Sequence, residues 1–176
     1  AVLSNDGTKL YVACSIASAL TVVDVSTITA PTIAGSYAHG SYLGGAWGVD
    51  IAAGDTSTYA YVTSPSYHRL TVVDISTASA PSLAGSVATS GNSGWLRGAR
   101  GVAISPLHPQ FVFVAASYSR FTVVDVSIPS SPTLAASIFG SWLNGATAIG
   151  VLGDRAFVAC EWSDRLTIVS VANPLA

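Results

Sequence analysis

The chain has 176 residues, of which 50% are hydrophobic and only 9% are charged, against about 25% charged residues in ordinary soluble domains. The net charge is −2 and the only lysine is Lys9, so no basic patch is available to neutralise phosphates and nucleic acid is not an expected partner. No uninterrupted apolar run approaches the roughly 18 residues of a membrane-spanning helix, so no transmembrane helix is predicted. Peripheral association with a membrane complex is compatible with this sequence.

A four-residue segment recurs along the chain. Thr-Val-Val-Asp begins at positions 21, 71 and 122, and a weaker copy, Thr-Ile-Val-Ser, begins at 167. The starts are 50, 51 and 45 residues apart, and a period of roughly 40–50 residues is typical of β-propeller blades. We therefore treat residues 1–176 as one region made of four repeats, approximately 1–46, 47–99, 100–146 and 147–176.

Each repeat is predicted to hold four short strands. In the second repeat the first strand lies near residues 48–52, followed by strands at 59–63, 70–75 and 82–87, all rich in Val, Ile, Tyr, Leu and Thr. Both faces of the third strand are apolar, so neighbouring sheets must cover both sides of it. Packing of each blade between two neighbours in a propeller supplies that cover.

Turn residues separate the predicted strands. Asn5-Asp6-Gly7 predicts a tight hairpin turn, because Asn, Asp and Gly tolerate positive φ angles, and Gly153-Asp154 offers a similar solution in the last repeat. Proline cannot donate to a sheet ladder, so it is expected at a strand start or an outer edge. Pro31, Pro81 and Pro132 each stand just before a predicted fourth strand.

The repeat also resembles a known family. An aromatic-Val-Thr or aromatic-Val-Ala segment, such as 61–63, is followed by a short loop and by Leu-Thr-Val-Val-Asp-Ile-Ser at 70–76. This pattern resembles the LVIVD and YVTN β-propeller repeats over nearly the whole chain, although Ser170 stands where the pattern has Asp. The resemblance implies a β-propeller, and the four repeats predict an all-β fold of about four four-stranded blades with an incomplete last blade. The resemblance implies no particular function, because propellers host many activities.

The predicted blades do not complete a ring. The first repeat begins with its innermost strand, and the last repeat reaches residues 173–176 where its outermost strand would start. We therefore expect three full blades and three strands of a fourth, as a fragment or open arc of a larger propeller rather than a closed four-blade ring. Cys14 and Cys160 occupy equivalent positions in the first and last repeats, and we expect free thiols.

Aromatic and basic residues are expected on one face of the propeller. The blade-to-blade connections repeat the pattern aromatic-Leu-x-Gly-Ala at 42–46, 95–99 and 142–146. Their aromatic residues either form a binding platform, since Tyr, Trp and Arg dominate interface hot spots, or act as wedges that seal one blade against the next. Less regular residues in the same-face loops are the better candidates for specific contacts. The predicted partner-binding residues are Tyr42, Tyr67, His68, Trp95, Arg97, Arg100, Tyr118, Trp142 and Trp162.

Other polar residues are interpreted as structural. Asp24, Asp74 and Asp125 are each followed two residues later by Ser, which is typical of a turn. Arg69, Arg120 and Arg165 open the third strands and are expected to bond loop carboxylates or carbonyls. Asp50 lies in a first strand near the propeller axis, but its counterparts Ala103 and Gly150 rule out a ring of carboxylates.

No catalytic residues, metal ligands or cofactors are predicted. The three histidines lie in different loops without ligand spacing, and no nucleophile elbow or phosphate-binding loop occurs. The leading hypothesis is a non-enzymatic interaction or scaffold module, a peripheral subunit of a larger assembly that binds protein through the aromatic loop face or the open blade ends. The alternatives are an extracellular or surface propeller that binds a glycan or small ligand, and a fragment of a propeller hydrolase or lyase. The compartment is not determined, with an extracellular or organelle-lumenal one favoured.

Overall fold

The computed structural model describes residues 1–52, 58–91, 94–105 and 107–175, and these residues form four antiparallel sheets that we call blades 1 to 4. Blade 1 contains β1 (Val2–Leu3), β2 (Lys9–Cys14), β3 (Ala19–Asp24) and β4 (Thr32–Ala38). Blade 2 contains β5 (Val49–Ile51), β6 (Tyr59–Ser64), β7 (Arg69–Asp74) and β8 (Ser82–Ala88). Blade 3 contains β9 (Ala99–Ser105), β10 (His108–Ala116), β11 (Tyr118–Asp125) and β12 (Thr133–Asn144). Blade 4 contains β13 (Ala146–Leu152), β14 (Arg155–Cys160) and β15 (Arg165–Ser170).

The predicted all-β propeller is confirmed, including the three-stranded last blade. Within each sheet the strands pair with their neighbours in chain order, and the three prolines stand directly before β4, β8 and β12. Helical structure in the described residues is limited to α1 (Gly40–Leu43) and two single 3₁₀ turns at Pro65–Tyr67 and Glu161–Ser163. None of these helices is long and apolar enough to cross a membrane.

The apolar residues of each middle blade contact both neighbouring blades. In blade 2, Val62 and Val73 pack into a core shared with blade 1, whereas Tyr61 and Val72 pack into a core shared with blade 3. All four side chains are buried. The prediction that neighbouring blades cover both apolar faces of the third strand is therefore confirmed.

Three core clusters lie at the three junctions between consecutive blades. No fourth cluster joins blades 4 and 1 in the described part of the chain, and Leu166 and Ile168 on the outward side of blade 4 are 64% and 54% exposed. Shared cores therefore join blades 1 to 4 in series, and the outward side of blade 4 is exposed. Cys14 is half-buried in blade 1, Cys160 is buried in blade 4, and both are free thiols as expected.

Each junction is also closed by one repeated hydrogen bond, which we call the hydroxyl latch. The third-strand threonine of a blade donates its Oγ1 hydrogen to the carbonyl of the aromatic residue in the connection before it. Thr71 donates to Tyr42 at 2.7 Å, Thr122 to Trp95 at 2.6 Å, and Thr167 to Trp142 at 2.8 Å. Among the described residues, the equivalent Thr21 hydroxyl of blade 1 forms hydrogen bonds within its own blade, with the Ser36 hydroxyl and the Cys14 thiol.

The Asp-x-Ser segments form the predicted turns after β3, β7 and β11. The Oδ1 of Asp24, Asp74 and Asp125 accepts a hydrogen bond from the backbone N–H two residues later, at 2.8 to 2.9 Å. A hydrogen bond to a carboxylate favours its ionised form. The Ser76 hydroxyl and N–H lower the pKa of Asp74, and the Ser26 hydroxyl and N–H, with Lys9, lower the pKa of Asp24 to about 2.

Loss of a latch is expected to destabilise the fold. The substitution Thr122→Val keeps the shape of a fully buried side chain but leaves the Trp95 carbonyl without this donor, so we expect the free energy of unfolding to fall by about 1–2 kcal/mol. Thr21→Val is the matched control, and a change below about 0.5 kcal/mol is expected for it. Urea unfolding of both variants measures the difference, and equal losses would refute the latch.

The turn at Asp24 makes a separate prediction about pH. Because its folded-state pKa of about 2 lies below the ordinary value of 3.8, the carboxylate stabilises the fold at neutral pH and this contribution disappears as the pH falls from 3.8 through 2. Ser26→Ala removes the strongest donor, so the pKa of Asp24 should move towards 3.8 in a carboxyl NMR titration. Thr27→Ala, whose side chain does not bond Asp24, should leave it unchanged, and an unmoved pKa in Ser26→Ala would contradict the assignment.

Candidate binding site on the connection face

We call the face that carries the blade-to-blade connections the connection face; it also carries the loops between second and third strands. Each connection turns through a glycine in the left-handed region, Gly45 and Gly98 at φ +68° and Gly145 at +73°. The leucine two residues earlier, Leu43, Leu96 or Leu143, is fully buried between blades. At each of these three junctions the leucine is therefore the residue of the connection that fills the space between the two blades. Of the aromatic residues considered for that role, Tyr42 packs partly against the first core cluster and Trp142 is 48% exposed.

The aromatic residues of the inner loops also occupy a repeated position. Tyr67, Tyr118 and Trp162 each cover a glycine of the preceding connection, and a Cβ at Gly44, Gly98 or Gly145 would collide with the corresponding ring. Their sequence contexts differ, so sequence reasoning treated them as irregular. In the structure they lie over the junctions on the connection face, and each residue is 42% to 51% exposed.

Three of the predicted residues meet in one stack. The guanidinium carbon of Arg97 lies 3.6 Å from the centre of the Tyr118 ring, a short cation–π contact. Trp162 meets the same ring edge-on, with the ring centres 6.2 Å apart. The stack therefore links residues that are contributed by the second and third blade-to-blade junctions.

Arg100 lies in a second group nearer the propeller axis. Its guanidinium stands 4.9 Å from the Trp47 ring, and its Nη1 lies 3.7 Å from Oε2 of Glu161. Trp47 is 54% exposed and was not among the predicted site residues. The Arg100 Nε is buried and has no hydrogen-bond partner among the described residues.

The side chains of His68 and of two third-strand arginines form hydrogen bonds within the fold. The Nδ1 of His68 accepts a hydrogen bond from the Gly98 N–H at 3.1 Å, so this ring braces the next connection. The expectation that the arginines bond loop carboxylates or carbonyls is wrong for two of them. Arg69 and Arg120 donate to the fourth-strand hydroxyls of Ser86 and Ser137.

The arginines bond serine hydroxyls rather than loop groups because the third strand pairs with the fourth strand. The fourth strand offers a serine hydroxyl within reach of each guanidinium, and the guanidinium also lies over an aromatic ring, that of Tyr42 for Arg69 and that of Phe139 for Arg120, at 5.2 and 5.1 Å. Blade 4 has no fourth strand in the described residues, and Arg165 is exposed.

A cleft of about 350 Å³ opens beside the Arg97–Tyr118 stack. Ser119 donates a hydrogen bond to Asn144 Oδ1 at 3.2 Å within it. Sequence reasoning missed Phe139 and Asn144, which reach this place only through the pairing of β11 with β12. The cleft, which we call the third-blade cleft, is lined by Gly94, Arg97, Tyr118, Ser119, Arg120, Phe139 and Asn144.

Asp50 braces two blades near the axis. Its Oδ2 accepts a hydrogen bond from the Ile104 N–H of blade 3 at 2.9 Å, and its Oδ1 accepts from the Ile51 N–H. Burial raises the pKa of this carboxyl despite those two bonds. Within the described residues no three His, Cys, Asp or Glu side chains come together as metal ligands.

The site geometry predicts that Gly98 does not tolerate a side chain. Gly98→Ala would strain a backbone at φ +68° and push against Ser117 and Tyr118, so we expect a loss of stability above about 1 kcal/mol. Gly40→Ala is the matched control, because a Cβ there meets no atom within 4 Å. Thermal unfolding compares the two variants, and similar midpoints would contradict the packing of Tyr118 over this connection.

Comparison with known proteins agrees with the repeat structure. The sequence profile of the LVIVD repeat matches residues 7–39, 46–89 and 97–139. No curated protein is significantly similar to the chain in sequence.

Several solved structures share the fold at low identity. A candidate 6-phosphogluconolactonase of Bacteroides uniformis is 10% identical, with a TM-score of 0.77 over 96% of this chain and 49% of that protein. The periplasmic gluconolactonase of Pseudomonas aeruginosa is 15% identical, with a TM-score of 0.75 over 96% and 48%. The computationally designed Ika4 protein is 11% identical, with a TM-score of 0.66 over 94% and 86%. The chain thus spans about half the length of the two natural proteins, and identities this low carry the fold but no activity.

Proposed function

Because this chain belongs to the LVIVD repeat family, we propose that it is a non-enzymatic β-propeller interaction module that binds a protein partner through the connection face. The observation that carries the proposal is the third-blade cleft with the stack of Arg97, Tyr118 and Trp162 beside it. Aromatic and arginine side chains that are partly exposed on a rigid support have the composition of interface hot spots. A peripheral subunit of a larger assembly would present such a face.

The two faces of the propeller differ in a way that supports this proposal. The turns after β3, β7 and β11 lie on the opposite face and carry mainly small polar residues such as Ser26, Ser76 and Ser127. The connection face carries the half-exposed rings of Tyr67, Trp142 and Trp162. Rings of this kind bury a large area when a partner covers them, and they lose little conformational entropy.

The low charge of the chain favours a protein partner over a polyanion such as nucleic acid. Only 9% of the residues are charged, and the net charge of −2 gives the chain no overall attraction to a polyanion. The arginines are held by aromatic rings or by hydroxyl groups. Ordered guanidinium groups lose less entropy on binding than free ones.

Site-specific photo-crosslinking tests the proposal. A photoreactive amino acid at position 118 should capture a defined partner in the cells that produce the chain, and the same amino acid at position 77 on the opposite face should not. The identified partner is then purified and titrated calorimetrically against the wild type, Tyr118→Ala and the control Thr77→Ala. Tyr118→Ala should weaken binding by more than about tenfold, whereas Thr77→Ala should bind as the wild type does.

Two outcomes would contradict the proposal. Equal affinity of Tyr118→Ala and Thr77→Ala for the captured partner would remove the connection face from the interaction. Hydrolysis of 6-phosphogluconolactone above the uncatalysed rate, reduced by Tyr118→Ala, would show instead that this face is an active site.

A further inference from the structure

The third strand of blade 4 has an open edge. Strand β15 pairs with β14 along its whole length, and no strand of the described residues pairs with its other edge. In blades 1 to 3 the same edge of the third strand is occupied by a fourth strand. Backbone donors and acceptors on such an edge are a template on which a further strand can pair.

The hydrogen bond that follows β15 shows which of its backbone groups face the open edge. The Val171 N–H donates to the Asp154 carbonyl at 2.7 Å, on the side of β14. Successive N–H groups of a strand point to opposite edges, so every second group, counted back from position 171, faces β14. The N–H groups that face the open edge are those of Leu166, Ile168 and Ser170.

A pocket of about 90 Å³ lies beside this edge, between blades 3 and 4. Val169 of β15 and Ala136 of β12 form part of its wall, and both side chains also pack against the third core cluster. The volume is several times that needed to hold one water molecule. An aliphatic side chain can therefore enter the pocket and extend the core.

The junction between blades 2 and 3 shows what occupies this place when the fourth strand is present. Leu134, in the fourth strand of blade 3, pairs with Val124 and packs into the second core cluster. Val124 and Val169 stand at the same position of the third strand. A leucine paired with Val169 would therefore enter the pocket between blades 3 and 4.

The arginine that opens β15 is a third feature of this edge. Arg120 in blade 3 donates to the hydroxyl of Ser137 in the fourth strand, and Arg69 makes the same bond in blade 2. Arg165 occupies the same place in β15 and is exposed. The serine lies three residues after the fourth-strand leucine, so a serine at that distance in an added strand would meet the Arg165 guanidinium.

We infer that the open edge of β15 binds an extended, uncharged segment of a partner protein as the fourth strand of blade 4. The segment carries a leucine or isoleucine, then a small residue, and a serine three positions after the first. Its aliphatic side chain enters the pocket, its backbone pairs with β15, and its serine accepts a hydrogen bond from Arg165. This edge is a different surface from the connection face, so the inference goes beyond the proposed function.

The kind of occupant follows from the three complete blades. The fourth strands at residues 32–38, 82–88 and 133–138 share the pattern aliphatic-Ala-x-Ser, and each is already paired with the third strand of its own blade. A second copy of the chain holds these segments in the same pairs. A different polypeptide therefore supplies the strand.

The test uses the whole ¹⁵N-labelled chain and a synthetic peptide in place of the partner segment. The peptide has the sequence of residues 132–138 with blocked ends, and its Leu134→Ala counterpart is the control. We expect saturable binding that slows hydrogen exchange at the three edge-facing amides of β15, whereas the intervening amides, which face β14, change little. The control peptide should bind about tenfold more weakly.

Variants of the chain assign the binding to this edge. Ala136→Leu fills the pocket from the wall of blade 3, so it should weaken binding of the peptide about tenfold, and its thermal unfolding midpoint shows whether the fold is retained. Arg165→Gln changes an exposed residue and should weaken binding about fivefold. Arg155→Gln, at the start of β14, is the matched control and should leave the affinity unchanged.

Three results would overturn the inference. Absence of saturable binding, or equal affinities of the two peptides, would remove the leucine-binding edge. Equal protection of edge-facing and intervening amides would show that the peptide does not add a strand. Protection of the edge-facing amides on raising the concentration of the chain alone would identify a second copy as the occupant. None of these results bears on Tyr118→Ala and the partner captured at the connection face.

Discussion

The structure depends on one constraint, which is that a strand with two apolar faces needs a neighbour on each side. Val72 and Val73 point to opposite sides of blade 2, and each enters a different core cluster. No single sheet could bury both, so the sheets stack face to face around an axis, and the connection between blades has to cross each junction. The buried leucine and the hydroxyl latch lie at that crossing, where they fix the distance and the angle between one blade and the next.

The proposed binding surface follows from the same crossings. Because every connection contains a glycine without a Cβ, an aromatic ring from the adjacent loop can lie directly on the backbone there, with one side packed and the other in solvent. The architecture therefore supplies a row of half-exposed rings. Two positions at the third blade that the repeat does not constrain hold Arg97 and Phe139, which together enlarge the row into a cleft.

Much of the fold could be predicted from short-range patterns. The recurring Thr-Val-Val-Asp segment, the prolines before fourth strands and the Asp-x-Ser turns each express a local rule, and β6 and β7 start and end within one residue of their predicted limits. The cleft could not be predicted in this way. Arg120 and Phe139 are separated by a turn and face each other only through the register of β11 and β12, which contains a bulge. The arginine contacts were predicted wrongly for the same reason, because the serine partners lie on a neighbouring strand rather than in a loop.

The hydroxyl latch gives the array a direction. In each interior unit the third-strand threonine donates a hydrogen bond to the unit before it, and the connection offers a carbonyl acceptor to the unit after it. Each such unit therefore carries one donor and one acceptor for the bonds at its two junctions. Insertion or removal of a whole unit in the gene re-creates a matched donor and acceptor at the new boundary, whereas a break inside a unit destroys both. Unequal recombination that adds or removes one whole repeat therefore preserves a bond of this kind at each junction between units.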